Sequence, residues 1–193
     1  MKIIALTGKT GAGKTTVAAL LKELGCFIID GDVIARQITE KGKPALLKLC
    51  EAFGEDILLP DGNLDRKKLA QKAFSTPENT NLLNSITHPE IKREFIRKID
   101  KAIQEGYSAV IIDAAAILES DCRDLCHKVI VVHAPEDIRL KRIMERDGIM
   151  AEAALTRIKA QKSDEYYLSQ ADLVIHSYEP YSIDINSLKE LID

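Results

Sequence analysis

The sequence has no run of about eighteen apolar residues, the length a membrane-crossing helix needs, and its best stretch, Ala109–Leu118, is broken by Asp113. It offers no apolar leader either: Ile3–Leu6 is the only apolar block before Thr7 and Gly8. There is no large charge of one sign, since 27 Lys and Arg face 30 Asp and Glu for a net charge of −3. Bulk attraction to nucleic acid or to an anionic membrane surface is therefore not expected. Cysteine is scarce: Cys26, Cys50, Cys122 and Cys126. Cys122 and Cys126 stand four apart beside His127, but a zinc site wants two close Cys pairs or a paired His motif. Buried thiols in a reducing compartment are the expectation, in a soluble cytoplasmic protein.

With 46% apolar and 30% charged residues over 193 positions, the chain can bury a real core. That excludes a disordered chain, a collagen-like repeat and a disulfide scaffold, and fits one domain or one domain with insertions. No internal repeat or low-complexity tract occurs. Five short runs rich in β-branched residues are Lys2–Thr7, Cys26–Asp30, Ala109–Asp113, Lys128–His133 and Leu173–His176. Each is nearly continuously apolar rather than alternating, the pattern of parallel strands covered on both faces. Thr7, Asp30, Asp113 and His133 end four of them, at the rim where open α/β sheets bind ligands.

Between the second and third runs the periodicity is helical, with pieces over Pro44–Phe53, Arg66–Phe74, Pro77–Ser85 and His88–Glu105 and a turn at Pro60-Asp61-Gly62-Asn63. A plain crossover needs one helix, so an inserted helical subdomain is expected. A second helical block covers Pro135–Gly148 and Ala151–Gln161.

The stretch Gly8-Lys9-Thr10-Gly11-Ala12-Gly13-Lys14-Thr15 fits GxxxxGK[ST] at every fixed position, with a strand before it and a helix (Thr15–Leu24) after it. Glycines let the backbone wrap phosphate oxygens with successive N–H groups, and the helix presents its positive end to the anion. Lys14 can sit between the β- and γ-phosphates, and the Thr15 hydroxyl can ligate Mg²⁺. The alternative, a glycine-rich turn matching by accident, would need the flanking strand and helix to coincide as well. Neither an Asp-x-x-Gly switch nor an Asn-Lys-x-Asp base-reading motif occurs, so a GTPase switch does not fit and a small phosphotransferase leads.

A phosphotransferase needs a carboxylate to orient the acceptor hydroxyl and take its proton. Asp30-Gly31-Asp32 closes the second strand, and Asp32 is the candidate; the competing reading is that it only caps a helix over Val33–Glu40. Asp113 ends the third strand as a metal-holding carboxylate would, or simply caps the next loop. Arg139, Arg142 and Arg146 share one helical face, and residues 139–162 hold seven Lys or Arg against three Asp or Glu. Such a basic block suits a lid over a triphosphate; a solvated face with surface ion pairs is the plainer alternative. Arg146, before Gly148, is its best single candidate. Composition alone gives His88 only a structural role.

The ordered set of motifs resembles the dephospho-coenzyme A kinase family. It comprises Ala5-Leu6-Thr7-Gly8 leading into the loop, Ile29–Arg36, Gly62–Arg66 with Leu69 and Phe74, Thr87–Ile91, Arg146-Asp147-Gly148, Arg157–Gln161 and Ala171–Ile175. The resemblance implies a three-layer α/β P-loop kinase core with five parallel strands (1–40, 107–135 and 164–193), a helical CoA-substrate domain (41–106) and a helical lid (136–163). It also implies ATP-dependent phosphorylation of the ribose 3′-hydroxyl of dephospho-CoA, with Mg²⁺, and no obligate protein partner. By the same resemblance Asp32, Lys14 and Arg146 are catalytic. Gly8, Gly11, Ala12, Gly13, Lys14, Thr15, Thr16 and Arg142 bind ATP; Asp30, Arg66, His88 and Glu119 bind the acceptor; Thr15 and Asp113 serve the metal. The chain departs from the family pattern at Ala12 and Thr15 in the loop, at Ala115-Ala116-Ile117-Leu118 before Glu119, and at His176. A kinase for another small acceptor and a nucleotide-sensing module are the alternatives; Asp32 and the lid arginines argue against a sensor, which needs no acceptor base.

Overall fold

The computed structural model describes residues 1–178 and 184–192. Strands β1 (Lys2–Gly8), β2 (Phe27–Asp30), β3 (Ala109–Asp113), β4 (Lys128–His133) and β5 (Leu173–His176) form one parallel sheet in the order β2-β3-β1-β4-β5. All five expected strands are present; β1 runs one residue further and β2 starts one later. Their continuous apolarity has the expected cause. Ile4, Ala5, Leu6 and Thr7 of β1 are all buried, as are Ala109–Ile112 of β3, so neither face of the central strands meets water. Register places Leu6 opposite Asp113, Gly8 opposite Val132 and His133 opposite His176, which brings the carboxyl ends of β3, β1, β4 and β5 to a common rim.

The helices are α1 (Lys14–Glu23), α2 (Gly31–Gln37), α3 (Pro44–Phe53), α4 (Arg66–Ala73), α5 (Pro77–Gln104), α6 (Glu136–Asp147), α7 (Ala151–Lys159), α8 (Asp164–Leu168) and α9 (Ile185–Ile192). Two expectations are corrected. Pro77–Ser85 and His88–Glu105 are one 28-residue helix with Pro89 inside it. Proline deprives only the Ser85 carbonyl of its helical donor, and burial of Phe95, Ile99 and Ala102 further along holds the helix through that local loss. The helix expected over Val33–Glu40 begins at Gly31, and its cap is Asp30 rather than Asp32. Asp30 has extended backbone, and its carboxylate accepts from the Val33 N–H at 2.9 Å. Asp32 sits in the first turn, where a negative charge also suits the helix dipole.

The chain divides into two compact units, 1–29 with 99–193, and 30–98. In the first, Ile4, Leu6, Ile111, Ile130 and Val132 of the sheet pack with Val17 and Leu21 of α1 and Leu188 and Ile192 of α9. A smaller cluster, Ile143, Ala154 and Ile158, joins α6 to α7. In the second unit, Leu46, Leu49 and Phe53 of α3 pack with Ile57, Leu64 and Leu69. The turn at residues 60–63 forms there, with Asp61 accepting from the Asn63 amide at 2.9 Å. None of the four cysteines is in a disulfide; Cys26, Cys122 and Cys126 are buried. Among the described residues no helix is long and apolar enough to cross a membrane.

Candidate active site

The loop between β1 and α1 is shaped by close approach. At Gly8 a Cβ would overlap the Val132 carbonyl oxygen on the neighbouring strand. Gly11 has φ +78°, and a Cβ there would stand 2.8 Å from the carbonyl oxygen of Arg139. Only glycine fits these two positions without moving backbone. Gly13 precedes α1, whose first residues Lys14 and Thr15 carry N–H groups of a helix N-terminus, while the Thr16 N–H donates to the Gly13 carbonyl at 3.2 Å and the Ala12 N–H to the Lys9 carbonyl at 3.0 Å.

At the floor of the loop the Lys14 ammonium lies 2.6 Å from Asp113 Oδ1, with both side chains largely shielded. The contact follows from the fold: β1 and β3 are neighbours, so the end of β3 faces the first turn of α1. Thr15 and Asp113 are hard oxygen donors, the type Mg²⁺ selects. Magnesium usually takes one or two carboxylates and completes its shell with phosphate and water. Among the described residues no cluster of three or more His, Cys, Asp or Glu could hold a metal alone. The donor set therefore fits an ion that arrives with a nucleotide.

Three segments brace the loop from outside. Gln161 Oε1 accepts from the Thr10 amide at 2.8 Å, and Lys9 pairs with Asp164 at 2.9 Å. Arg142 donates to the Gly11 carbonyl at 3.2 Å and to the Ser177 hydroxyl and carbonyl at 3.1 and 2.8 Å, while the Ser177 hydroxyl donates to the Ala12 carbonyl. Burial raises the Asp164 carboxyl, but the hydrogen bond from Lys9 and the charges of Lys9, Arg139 and His133 outweigh it and hold the group below its ordinary value.

The three arginines of α6 meet different fates. Arg139 is buried, and its Nε donates to the Ala134 carbonyl at 3.0 Å. Arg142 is on the loop. Arg146 is exposed and forks onto Asp147 at 2.7 and 2.9 Å, with Arg157 on the same carboxylate at 2.6 Å. The Arg146 hydrogen bond, with the two guanidinium charges, lowers the Asp147 carboxyl. Glu119 is exposed at the end of a 3₁₀ turn, Ile117–Glu119.

In the other unit, Asp30 is spent on capping α2, and Asp32 is exposed two residues on, in the first turn of that helix. Arg66 opens α4 and donates to the Arg36 carbonyl at 3.2 Å and to Thr39 Oγ1 at 3.0 Å. That fixes the α2–α3 corner and explains the buried Thr39. His88 is half-buried within α5.

Ser177, Asp164 and Arg139 escaped sequence reasoning as loop partners. Asp164 and Ser177 carry no local pattern, and Arg139 reads as one of a row of surface arginines. Gln161 stood within the Arg157–Gln161 motif, but its contact is tertiary.

A family profile for dephospho-CoA kinase matches residues 2–179. Dephospho-CoA kinase of Corynebacterium efficiens is 46% identical over 177 residues, covering 92% of this chain and 88% of that one. The crystal structure of TT1252 from Thermus thermophilus superposes with a TM-score of 0.83 at 29% identity, over 99% of this chain and 96% of that one. Dephospho-CoA kinase from Campylobacter jejuni superposes at 0.62 with 27% identity, over 100% and 97%. The glycine loop with its half-buried lysine–aspartate pair thus stands in a chain that belongs to the dephospho-CoA kinase family.

Proposed function

We propose that the protein transfers the γ-phosphoryl group of ATP to the ribose 3′-hydroxyl of dephospho-CoA, giving coenzyme A and ADP. The observation that carries this reading is the loop Gly8–Thr15, closed on Gly8 and Gly11 by backbone contact and floored by the Lys14–Asp113 pair. The backbone N–H groups of Gly11, Gly13, Lys14 and Thr15 hold the phosphates, Ala12 and Thr16 shape the cradle through their N–H bonds to the Lys9 and Gly13 carbonyls, and Lys14 leaves Asp113 to bridge the transferring group. Thr15 and Asp113 hold Mg²⁺, which supplies charge neutralisation for the phosphates.

Asp32 orients the acceptor hydroxyl and takes its proton as the new P–O bond forms. Arg142 and Arg146 stabilise charge on the transferring oxygens, Arg142 by exchanging the Gly11 and Ser177 carbonyls for nucleotide oxygens. Asp30, Arg66, His88 and Glu119 serve the acceptor side. A soluble substrate pair and the absence of a membrane-crossing helix among the described residues fit a reaction in the cytoplasm.

Incubation with ATP, Mg²⁺ and dephospho-CoA, in parallel with AMP, CMP, adenosine or no acceptor, tests the reading by product mass. One phosphoryl group added to dephospho-CoA alone is expected. Transfer to another member of the panel keeps the kinase and discards this acceptor; ATP binding without any transfer leaves a nucleotide-sensing module.

A further inference from the structure

Behind the glycine loop lies a cavity of about 10 Å³, the room one water centre needs. Its walls include Lys9 and Ala12 of the loop, His133 at the end of β4, Asp164 and Tyr167 of α8, and Arg139 of α6. Arg139 is 1% exposed. Its Nε is satisfied by the Ala134 carbonyl, but among the described residues neither Nη1 nor Nη2 has a hydrogen-bond partner. The acid in the cavity wall, Asp164, is engaged by Lys9 at 2.9 Å and stands 3.8 Å from His133 Nε2. The Arg139 charge acts on Asp164 as well, so one carboxylate answers two cations, Lys9 and Arg139, and the cavity wall keeps one positive charge in excess.

A buried guanidinium with two of its three nitrogens unpartnered is costly, and proteins seldom keep one that does nothing. Arg139 is also fixed to the loop through its main chain, whose carbonyl and Cα border the space a Gly11 side chain would need. We propose that Arg139 is a positioning residue of the phosphate site: its guanidinium, only partly offset by Asp164 and held behind Lys9 and Ala12, strengthens the loop's grip on the nucleotide's phosphates. The inference rests on the phosphate-loop reading of Gly8–Thr15. Screened from water, a full positive charge acts across several ångströms far more strongly than a surface arginine does. The arriving phosphates add to the counter-charge that Asp164 supplies only in part. Asp164 then sets the strength of the effect, because its carboxylate offsets one of the two cations in the cavity wall.

The test is calorimetric titration of the full chain with inorganic tripolyphosphate, with dephospho-CoA affinity and thermal melting as controls. Arg139→Met is expected to weaken tripolyphosphate about tenfold and Arg139→Lys to recover it to within about threefold, with dephospho-CoA affinity unchanged in both. Asp164→Asn is expected to tighten tripolyphosphate about threefold, whereas loss of a purely structural ion pair would weaken it. Should Arg139→Met not fold, the lysine and Asp164→Asn variants decide the question. The proposal is overturned if Arg139→Met binds within about twofold of the parent, or if Asp164→Asn binds more weakly. A parent chain that does not bind tripolyphosphate overturns the phosphate-loop reading itself, and the proposal with it.

Discussion

Lys14 and Asp113 are held 2.6 Å apart by the adjacency of β1 and β3, so the lysine proposed to meet phosphate already has an anionic partner in the site. Asp113→Asn is expected to leave the fold intact, because the pair is not deeply buried, and to lower kcat by about 10²-fold with a higher Mg²⁺ requirement. Turnover measured across a magnesium titration checks this. A variant with unchanged metal dependence assigns Asp113 to anchoring Lys14 alone.

Asp32→Asn is expected to reduce kcat by about 10²–10⁴-fold while ATP affinity stays nearly constant. Steady-state kinetics beside ATP titration separates the two quantities. Because Asp30 rather than Asp32 caps α2, the substitution leaves that helix its cap, and melting temperature should hold. Turnover within about tenfold of the parent would remove Asp32 from the role of base.

Gly11→Ala places a side chain on backbone at φ +78° and 2.8 Å from the Arg139 carbonyl oxygen. The strained backbone alone costs about 1–3 kcal/mol, and the contact adds to it. A lower denaturation midpoint together with lost nucleotide binding is the expected result; Gly25→Ala, where nothing lies within 4 Å, is the control for backbone strain without the clash.

Burial raises the Cys26 thiol to about 11 and, against the smaller lowering effect of Arg123, the Cys126 thiol to about 12. A thiol ionises by losing a proton, so between about pH 9 and those values the unfolded chain binds fewer protons than the folded one. Their contribution is therefore complete below pH 9 and is lost as pH rises above it. Urea midpoints between pH 8 and 10.5 should fall, and Cys126→Ala should flatten that slope while lowering stability at pH 8. A slope unchanged by the substitution would mean that Cys126 does not stay protonated in the fold.

The sheet was readable because parallel central strands leave a strong local mark: Ile3–Thr7 and Val110–Ile112 have no polar face to hide. The glycine loop was readable for a similar reason, since GxxxxGK[ST] is a backbone requirement written in residue types. Pro89 misled because a proline is a local signal, while the burial of Phe95 and Ile99 that carries α5 through it is not. Asp32 reads as a cap by residue type, but Asp30 is of the same type two residues earlier, and it is Asp30 that accepts from the Val33 amide. The row Arg139, Arg142 and Arg146 looked uniform by periodicity. Its members part because Arg139 and Arg142 reach the Ala134 carbonyl and the glycine loop, while the last turn of α6 carries Arg146 into solvent.

The central claim is the identity of the hydroxyl that receives the phosphate. It is tested most directly by two-dimensional ¹H–³¹P NMR of the product formed from ATP and dephospho-CoA. The account predicts a new phosphomonoester resonance correlated with the ribose H3′ proton, absent when Lys14→Ala replaces the parent. A correlation to H2′, or no new phosphorus resonance while ATP remains bound, would contradict it.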